Sequence, residues 1–471
     1  MSAETLESAL ARAYGGNPTL NAQRASVRAT DENVPRAKSL SRPRINATAD
    51  AGAAYSESSA PGLEGEAATA ALRSLNSANN ATAAGGAGGV GGTGGRVGRS
   101  SVSRTLPRGF GVQVDQTLFN GFRTENSIRQ AESQVLGARE TLRNTEQDVL
   151  FQAAQFYMNV LRDTARLSLQ RNNVEVLEEQ LRQTRDRFNV GEVTRTDVAQ
   201  AESRLALARS QVSVAESDLR TSIAQFRQII GVEPRQLAPG RPVDRLVPGS
   251  IDSAIAIAMD EHPNIKSAMH AVDAAELQVK VTEGELLPSV TLSGAASQRY
   301  DTGQQGAEAF SAQLVARLTV PIYEGGEVYA RARQAKEIAG QRRIDVETAR
   351  DAVRATLIQS WGQLEAAKAQ IIATQAQVQA AEIALNGVRE EARVGQRTTL
   401  DVLNAQQELL NARVNLIIAQ RDRVVFSYAV ARSIGRLTTR VLGLNVAQYS
   451  AKQHFDQVKD LWGGLRIPDG R

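Results

Sequence analysis

The chain has no cysteine among its 471 residues. Disulfides, thiolate metal sites and a lipid-modified N-terminal cysteine are therefore excluded, and an oxidising envelope compartment is compatible but not required. Aromatic residues make up only 4%. Long stretches are dominated by Ala, Gln, Arg, Glu and Val instead, a profile of extended helices and not of a compact aromatic core. Proline is missing between Pro107 and Pro234, and again between Pro321 and Pro468. No apolar run reaches the roughly 18 residues of a transmembrane helix. A membrane β-barrel is not excluded by this, because its strands carry only a weak hydropathy signal. The start MSAETLESAL has neither the basic end nor the apolar centre of a leader peptide. The expectation is a cytosolic protein, or a mature chain whose leader has been removed. Net charge is only +4, and acids interleave with the arginines. Nucleic-acid binding needs clustered positive charge, so these charges are read as solvated helix faces.

What the chain does have is a repetition. RFNVGEVTRTDV (187–198) returns as EARVGQRTTLDV (391–402). At an offset of about 204 residues Phe119-Asn120-Gly121 aligns with Tyr323-Glu324-Gly325, Tyr157 with Trp361, and Val190-Gly191 with Val394-Gly395. Thr194 aligns with Thr398, and Asp197-Val198 with Asp401-Val402. Nearer the start the offset is about 245: Pro18 meets Pro263 and Pro43 meets Pro288. The difference between offsets places an insertion in the first copy, between Tyr55 and Leu106. That window is rich in Gly and Ser and reads as a long surface loop over 56–103. It is no phosphate loop, since no Gly-Lys-Ser/Thr follows. The expected organisation is a first repeat over 1–230, a Pro/Gly-rich linker over 231–249, a second repeat over 250–434 and a C-terminal segment over 435–471 packed around the middle of the rods.

Each copy starts with two short helices parted at a proline, the second spanning about 19–40 and 264–286. The period then changes to two. Ile45, Ala47, Ala49, Ala51, Ala53 and Tyr55 share one face, as do Phe110, Val112, Val114 and Leu118. In the second copy Phe310, Ala312, Leu314, Ala316, Leu318 and Val320 stay in step. Strands are expected over about 43–56, 104–119, 288–298 and 309–322, each long enough to cross a bilayer at a tilt. Very long helices follow, about 123–188 and 327–392, then a turn near 191 or 395 and a return helix. Val198, Leu205, Val212 and Leu219 are spaced by seven, as are Leu403, Leu410, Ile417 and Val424. Such spacing implies antiparallel coiled-coil packing. The fold class is mainly α with a membrane β-barrel portion. Four strands cannot close a barrel alone, so in a membrane several chains must pool them, two giving 8 strands around a filled interior and three giving 12 and room for a lumen.

The start ETLESALARAYGGNPTL, the junctions TLFNGF and PIYEGGE, and the tips VGEVTRTDV and VGQRTTLDV, in this duplicated order, resemble the TolC family of outer-membrane efflux and secretion channels. The resemblance covers nearly the whole chain outside the Gly-rich insertion. It implies a homotrimer with a 12-stranded outer-membrane barrel, a periplasmic helical barrel, and an equatorial region holding the linker and C-terminal segment. It also implies a passive duct, docked by an inner-membrane transporter such as an ABC exporter and by its periplasmic adaptor, with type I protein secretion the favoured cargo route and multidrug efflux the alternative. A periplasmic adaptor would have one hairpin and usually an anchor; a soluble rod would hide its alternating strands in ordinary hairpins.

Thr194-x-x-Asp197 and Thr398-x-x-Asp401 read as capping boxes at the return helices, with Gly191 and Gly395 in positive-φ turns. The resemblance adds a second role. Asp401 matches an acidic ring at the entrance. Asn404 stands where some members carry a second acid, so a weaker cation-attracting field is implied. Arg397 matches an arginine that links to a neighbouring tip near Asp197, and Ala392 replaces a latch tyrosine. Val190, Gly191, Thr194, Val394, Gly395 and Thr398 are the tip residues expected to contact an adaptor. His262, His270 and His454 show no metal-ligand spacing and read as helix-end or surface residues, and Trp361 and Trp462 read as packing residues. No catalytic set, cofactor or metal is expected.

Overall fold

The computed structural model describes residues 3–59, 100–301 and 306–467. Most of the loop expected over 56–103 lies outside the described residues. Two compact units emerge: a helical one (residues 1–39, 122–286 and 323–471) and a sheet unit (residues 40–121 and 287–322). Each copy of the repeat contributes to both.

In the helical unit, α1 (Leu6–Gly16) and α2 (Pro18–Asp31) meet at Asn17, whose side chain accepts from the amides of Thr19 (2.9 Å) and Leu20 (3.2 Å). Pro18 occupies the first helical position, where its missing N–H costs nothing. The second helix is shorter than expected. It breaks after Asp31 and resumes as α3 (Asn33–Lys38), followed by a 3-10 turn at Ser39–Ser41. Pro35 explains the break: it has no N–H for the Asp31 carbonyl four residues back, and its ring collides with that carbonyl.

Both long rods then form: α4 (Arg123–Asn189) with its return α5 (Arg195–Ile230). After α6 (Ile251–Glu261) and α7 (Pro263–Glu283), the second rod is α8 (Glu327–Arg393) with its return α9 (Thr399–Ser433). At 67 residues, α4 and α8 are each roughly 100 Å long. The start of α4 needs a left-handed residue, and Phe122 (φ 61°) supplies it where the second copy uses Gly326 (φ 86°).

The coiled-coil seam differs in detail from the expected one. Leu205, Leu403, Leu410 and Val424 are buried, but Val198, Val212, Leu219 and Ile417 are only half-buried. The most enclosed row on α5 is Ala201, Ala208, Ala215 and Ser222, also seven apart, and on α9 Ala412 and Ala419. Small side chains let the helices approach closely, which hides these positions better than the larger ones beside them.

The main core joins α1, α2, α4, α5, α9 and the C-terminal segment around Leu10, Leu20, Leu150, Tyr157, Phe226 and Leu437, all nearly inaccessible. The Tyr157 hydroxyl lies 2.7 Å from the Glu4 carbonyl and 2.6 Å from that of Ala238, so one proton serves two acceptors. Glu4 in turn bridges to Leu237, tying the first residues to the linker. A separate cluster forms around Leu357, Leu364, Val430 and Ile434 of the second copy, with Trp361 packed against it. Beyond α9 the chain forms a short α10 (Thr439–Leu442) and α11 (Ala451–Val458). Thr439 donates to Glu146 of α4, and the Tyr449 amide to the Tyr14 hydroxyl.

The histidines divide. His262 is a helix-end residue and His270 sits 3.4 Å from Asp273 on α7, but His454 is buried, not on the surface, 3.0 Å from buried Asp31. Of the tryptophans, Trp462 is exposed.

In the sheet unit, the two expected strands of the first copy each split. β1 (Arg44–Ala51) and β2 (Ala54–Ser59) part at Gly52; β3 (Ser100–Thr105) and β4 (Arg108–Asn120) part at Leu106-Pro107, where Pro107 cannot donate to a ladder. The second copy gives β5 (Ser289–Tyr300) and β6 (Glu308–Thr319), the latter ending just before Pro321. β2 pairs with β3, and the larger sheet runs β1-β4-β5-β6, antiparallel throughout. Its two edges, β1 and β6, have no further partner strand among the described residues.

Register sorts the side chains by face. Ile45 pairs with Val114, which pairs with Gly294 and then Leu314. Ala47, Val112, Ala296 and Ala312 form the next row, and Ala49, Phe110, Gln298 and Phe310 another. The opposite face carries Asn46, Gln113, Asp115, Ser293, Ser297 and Ser311, linked by Ser293–Asp115 (2.8 Å), Gln113–Asp115 (2.8 Å) and Ser297–Ser311 (2.9 Å) bonds. A bulge between Thr117 and Phe119 takes Leu118 out of the expected alternation. The apolar face is uncovered: Ile45 is 67%, Phe310 71% and Leu314 74% exposed.

Candidate functional site

The site predicted at the tips forms two matching turns. α4 ends at Val190 and Gly191 (φ 80°), α8 at Val394 and Gly395 (φ 80°). A Cβ there would be strained by the backbone angle, which only glycine adopts freely. Thr194 and Thr398 then cap the return helices. Asp197 Oδ2 accepts from the Thr194 amide (2.9 Å) and hydroxyl (2.6 Å), and its own amide donates to Thr194 Oγ1 (3.3 Å). Asp401 repeats this with Thr398 at 3.0, 2.8 and 3.2 Å. These bonds hold both carboxyls below the usual carboxylate range; the nearby Arg187 and Arg397 guanidinia add to it. Val190 and Val394 are each over 70% exposed, apolar knobs at the extreme ends of the rods.

The arginine expected to reach another tip is occupied within its own. Arg397 Nε donates to Glu391 Oε2 at 2.8 Å. The first tip has a matching ion pair, Arg187 Nε to Glu192 Oε2 at 3.0 Å. Asn404 does not stand alone: its Oδ1 accepts from Arg204 Nη2 of α5 at 2.9 Å, a bridge between the return helices of the two hairpins. Glu391, Arg187, Glu192 and Arg204 escaped sequence reasoning. The repeat alignment sets Arg187 against Glu391 and Val193 against Arg397, so neither pair looks shared. The signal that would have found Arg187 and Glu391 is the charge one turn before each Val-Gly; Glu192 and Arg204 follow the turn and carry no such mark. Among the described residues no cluster of His, Asp or Glu could hold a metal, and no helix is long and apolar enough to cross a membrane.

The sequence profile described as "outer membrane efflux protein" matches residues 9–232 and again 254–436, most of the chain. This chain belongs to the outer membrane efflux protein family. Members are channels, not enzymes, and TolC of Escherichia coli is a relative. The outer membrane efflux protein BepC of Brucella suis is 40% identical over 99% of this chain and 93% of its own length. The alkaline protease secretion protein AprF of Pseudomonas aeruginosa is 28% identical over 66% of each. Among solved structures, the Campylobacter jejuni CmeC outer membrane channel superposes with a TM-score of 0.73 over 97% of this chain and 89% of its own, at 16% identity. The family fold of duplicated helical hairpins with a strand-built portion is therefore the fold of this chain.

Proposed function

We propose that the chain is one protomer of a trimeric exit duct in the bacterial outer membrane, with a large periplasmic part. The observation that carries this reading is the sheet: both edges unpaired among the described residues, one face polar, the other apolar and uncovered. In hydrocarbon each unpaired backbone group costs several kcal/mol, so such a sheet is stable there only when copies close it. Three copies bring 12 strands, with the apolar face to lipid and the hydroxyl and amide face to a water-filled lumen. In water the same face would be a large exposed patch inviting aggregation. Residues 1–230 and 250–434 act as two copies of one unit, 231–249 as linker and 435–471 as a segment braced against the middle of the rods.

The tips form the periplasmic entrance. Asp401, Arg397 and Asp197 supply its charge, and Asn404, held by Arg204, joins the hairpins. Val190, Gly191 and Thr194, with Val394, Gly395 and Thr398, offer the surface for a periplasmic adaptor, which couples the duct to an inner-membrane transporter. Small-molecule efflux is the cargo with the most support, because the efflux-named BepC matches nearly end to end. Type I protein secretion from an ABC exporter is the second reading, favoured by the likeness to AprF. Deleting the gene and measuring drug susceptibility alongside exported proteins separates them. Purified protein should need detergent, run as a heat-sensitive oligomer on gels and conduct in planar bilayers. A monodisperse monomer in plain buffer would sink the duct.

A further inference from the structure

Each tip holds one guanidinium between two carboxylates. In the first, Arg187 bonds Glu192 at 3.0 Å with Asp197 close enough to feel its charge; in the second, Arg397 bonds Glu391 at 2.8 Å with Asp401 in the same relation. The Asp of each trio is matched by the duplication, but the ion pair is built from positions that are not, because Glu391 occupies the site of Arg187. The Asp401 carboxylate is used unevenly. Both of its bonds from Thr398 fall on Oδ2, and the Arg397 charge acts on it through space without a direct bond. Arg397 is committed across the turn. Its bond is anchored at the backbone as well, since the Gln396 amide donates to the Glu391 carbonyl at 2.9 Å.

We infer that Glu391 is a positioning residue for the entrance: by taking the Arg397 guanidinium across the turn it withholds Arg397 from Asp401, and so sets how strongly the entrance attracts cations. This rests on the duct reading. Without the Glu391 charge, the guanidinium's remaining acidic partner within its own tip is Asp401, and a charge-assisted bond to Oδ1 would neutralise it. Without Arg397, Asp401 keeps its full field. The two halves of one ion pair thus act in opposite directions on cation binding; loss of their charges alone would give the same signs, so the double variant and the Asp401→Asn background decide.

The test is block of single channels by lanthanum(III), added from the tip side to the full-length protein in planar bilayers. For Glu391→Gln the half-blocking concentration should rise several-fold. For Arg397→Gln it should fall several-fold, and the double variant should follow Arg397→Gln. In an Asp401→Asn background Glu391→Gln should change nothing. Glu391→Asp, which keeps the charge on a shorter arm, should lie between wild type and Glu391→Gln, and it replaces Glu391→Gln should that variant not assemble. Shifts of both single variants in the same direction, or a Glu391→Gln effect that survives Asp401→Asn, would overturn the inference while leaving the duct intact. A wild-type protein that forms no channel would overturn both.

Discussion

Position 187 in the first copy is arginine, and the aligned position 391 in the second is glutamate. Both side chains nevertheless close the same kind of turn with an ion pair of nearly equal length. The helix caps near the start of each copy differ similarly. Asn17 caps α2 with an amide oxygen, while His262 caps α7 with Nδ1, accepting from the Asn264 amide at 3.2 Å. Yet the break at Pro35 in the first copy has no counterpart, because Lys280 stands there in the second and α7 runs through. What survives duplication is therefore the backbone task, such as a capped start, a glycine turn or a charge across the tip. The residue performing it is free to change where the new chemistry meets the same geometry.

The copies also differ in how deeply they are anchored, and the largest effects should appear there. Tyr157 is inaccessible and holds two carbonyls, whereas its counterpart Trp361 is only half-buried. Tyr157→Ala should cost about 3–5 kcal/mol by cavity formation, plus the loss of those bonds. Trp361→Ala should lower the thermal unfolding midpoint distinctly less, and equal drops would mean the copies are anchored alike.

The caps come next. Burial, with Arg432 and Arg143 nearby, depresses His262 to about 4. Its folded pKa lies below the unfolded value of about 6.5, so the unfolded chain binds more protons between these values. Stability is full above pH 6.5 and falls as the pH drops toward 4, by roughly 3 kcal/mol. Copying the first repeat with His262→Asn should flatten the unfolding midpoint across this window. A midpoint equally steep in the variant would show that another group drives it.

The capping boxes should behave identically. Thr194→Ala and Thr398→Ala are each expected to cost about 1 kcal/mol locally, read as faster amide exchange in the first turns of α5 and α9. Because Asp197 and Asp401 are depressed by those caps, their contribution is present above the ordinary aspartate range and lost as pH falls below it. The smallest effect belongs to the tip pairs. Arg187→Gln and Arg397→Gln remove exposed ion pairs that solvent and salt screen, and neither should move the unfolding midpoint measurably.

Much of this architecture could be read from periodicity. The proline-free rods, the Val-Gly turns and the Thr-x-x-Asp caps are local devices, and each works through its own neighbours in sequence. The alternation at Ile45–Ala51 and Phe310–Leu318 revealed a two-faced sheet for the same reason. Misreadings arose where one residue overrode a pattern. Pro35 divided the second helix, Pro107 and Gly52 divided strands, and a bulge displaced Leu118. At the seam, searching for large residues favoured Val198 and Val212, although Ala201 and Ala208 are the buried ones.

The sequence by itself determined the elements, their duplication and which strand face is apolar, because capping, proline geometry and side-chain alternation act within a few bonds. Only the tertiary structure decided which charges meet. Glu391 with Arg397, Arg204 with Asn404 across two hairpins, and His454 with Asp31 over more than 400 residues depend on how helices pack. Arginine and glutamate line these rods so densely that spacing alone offers each of them several partners, and packing selects one.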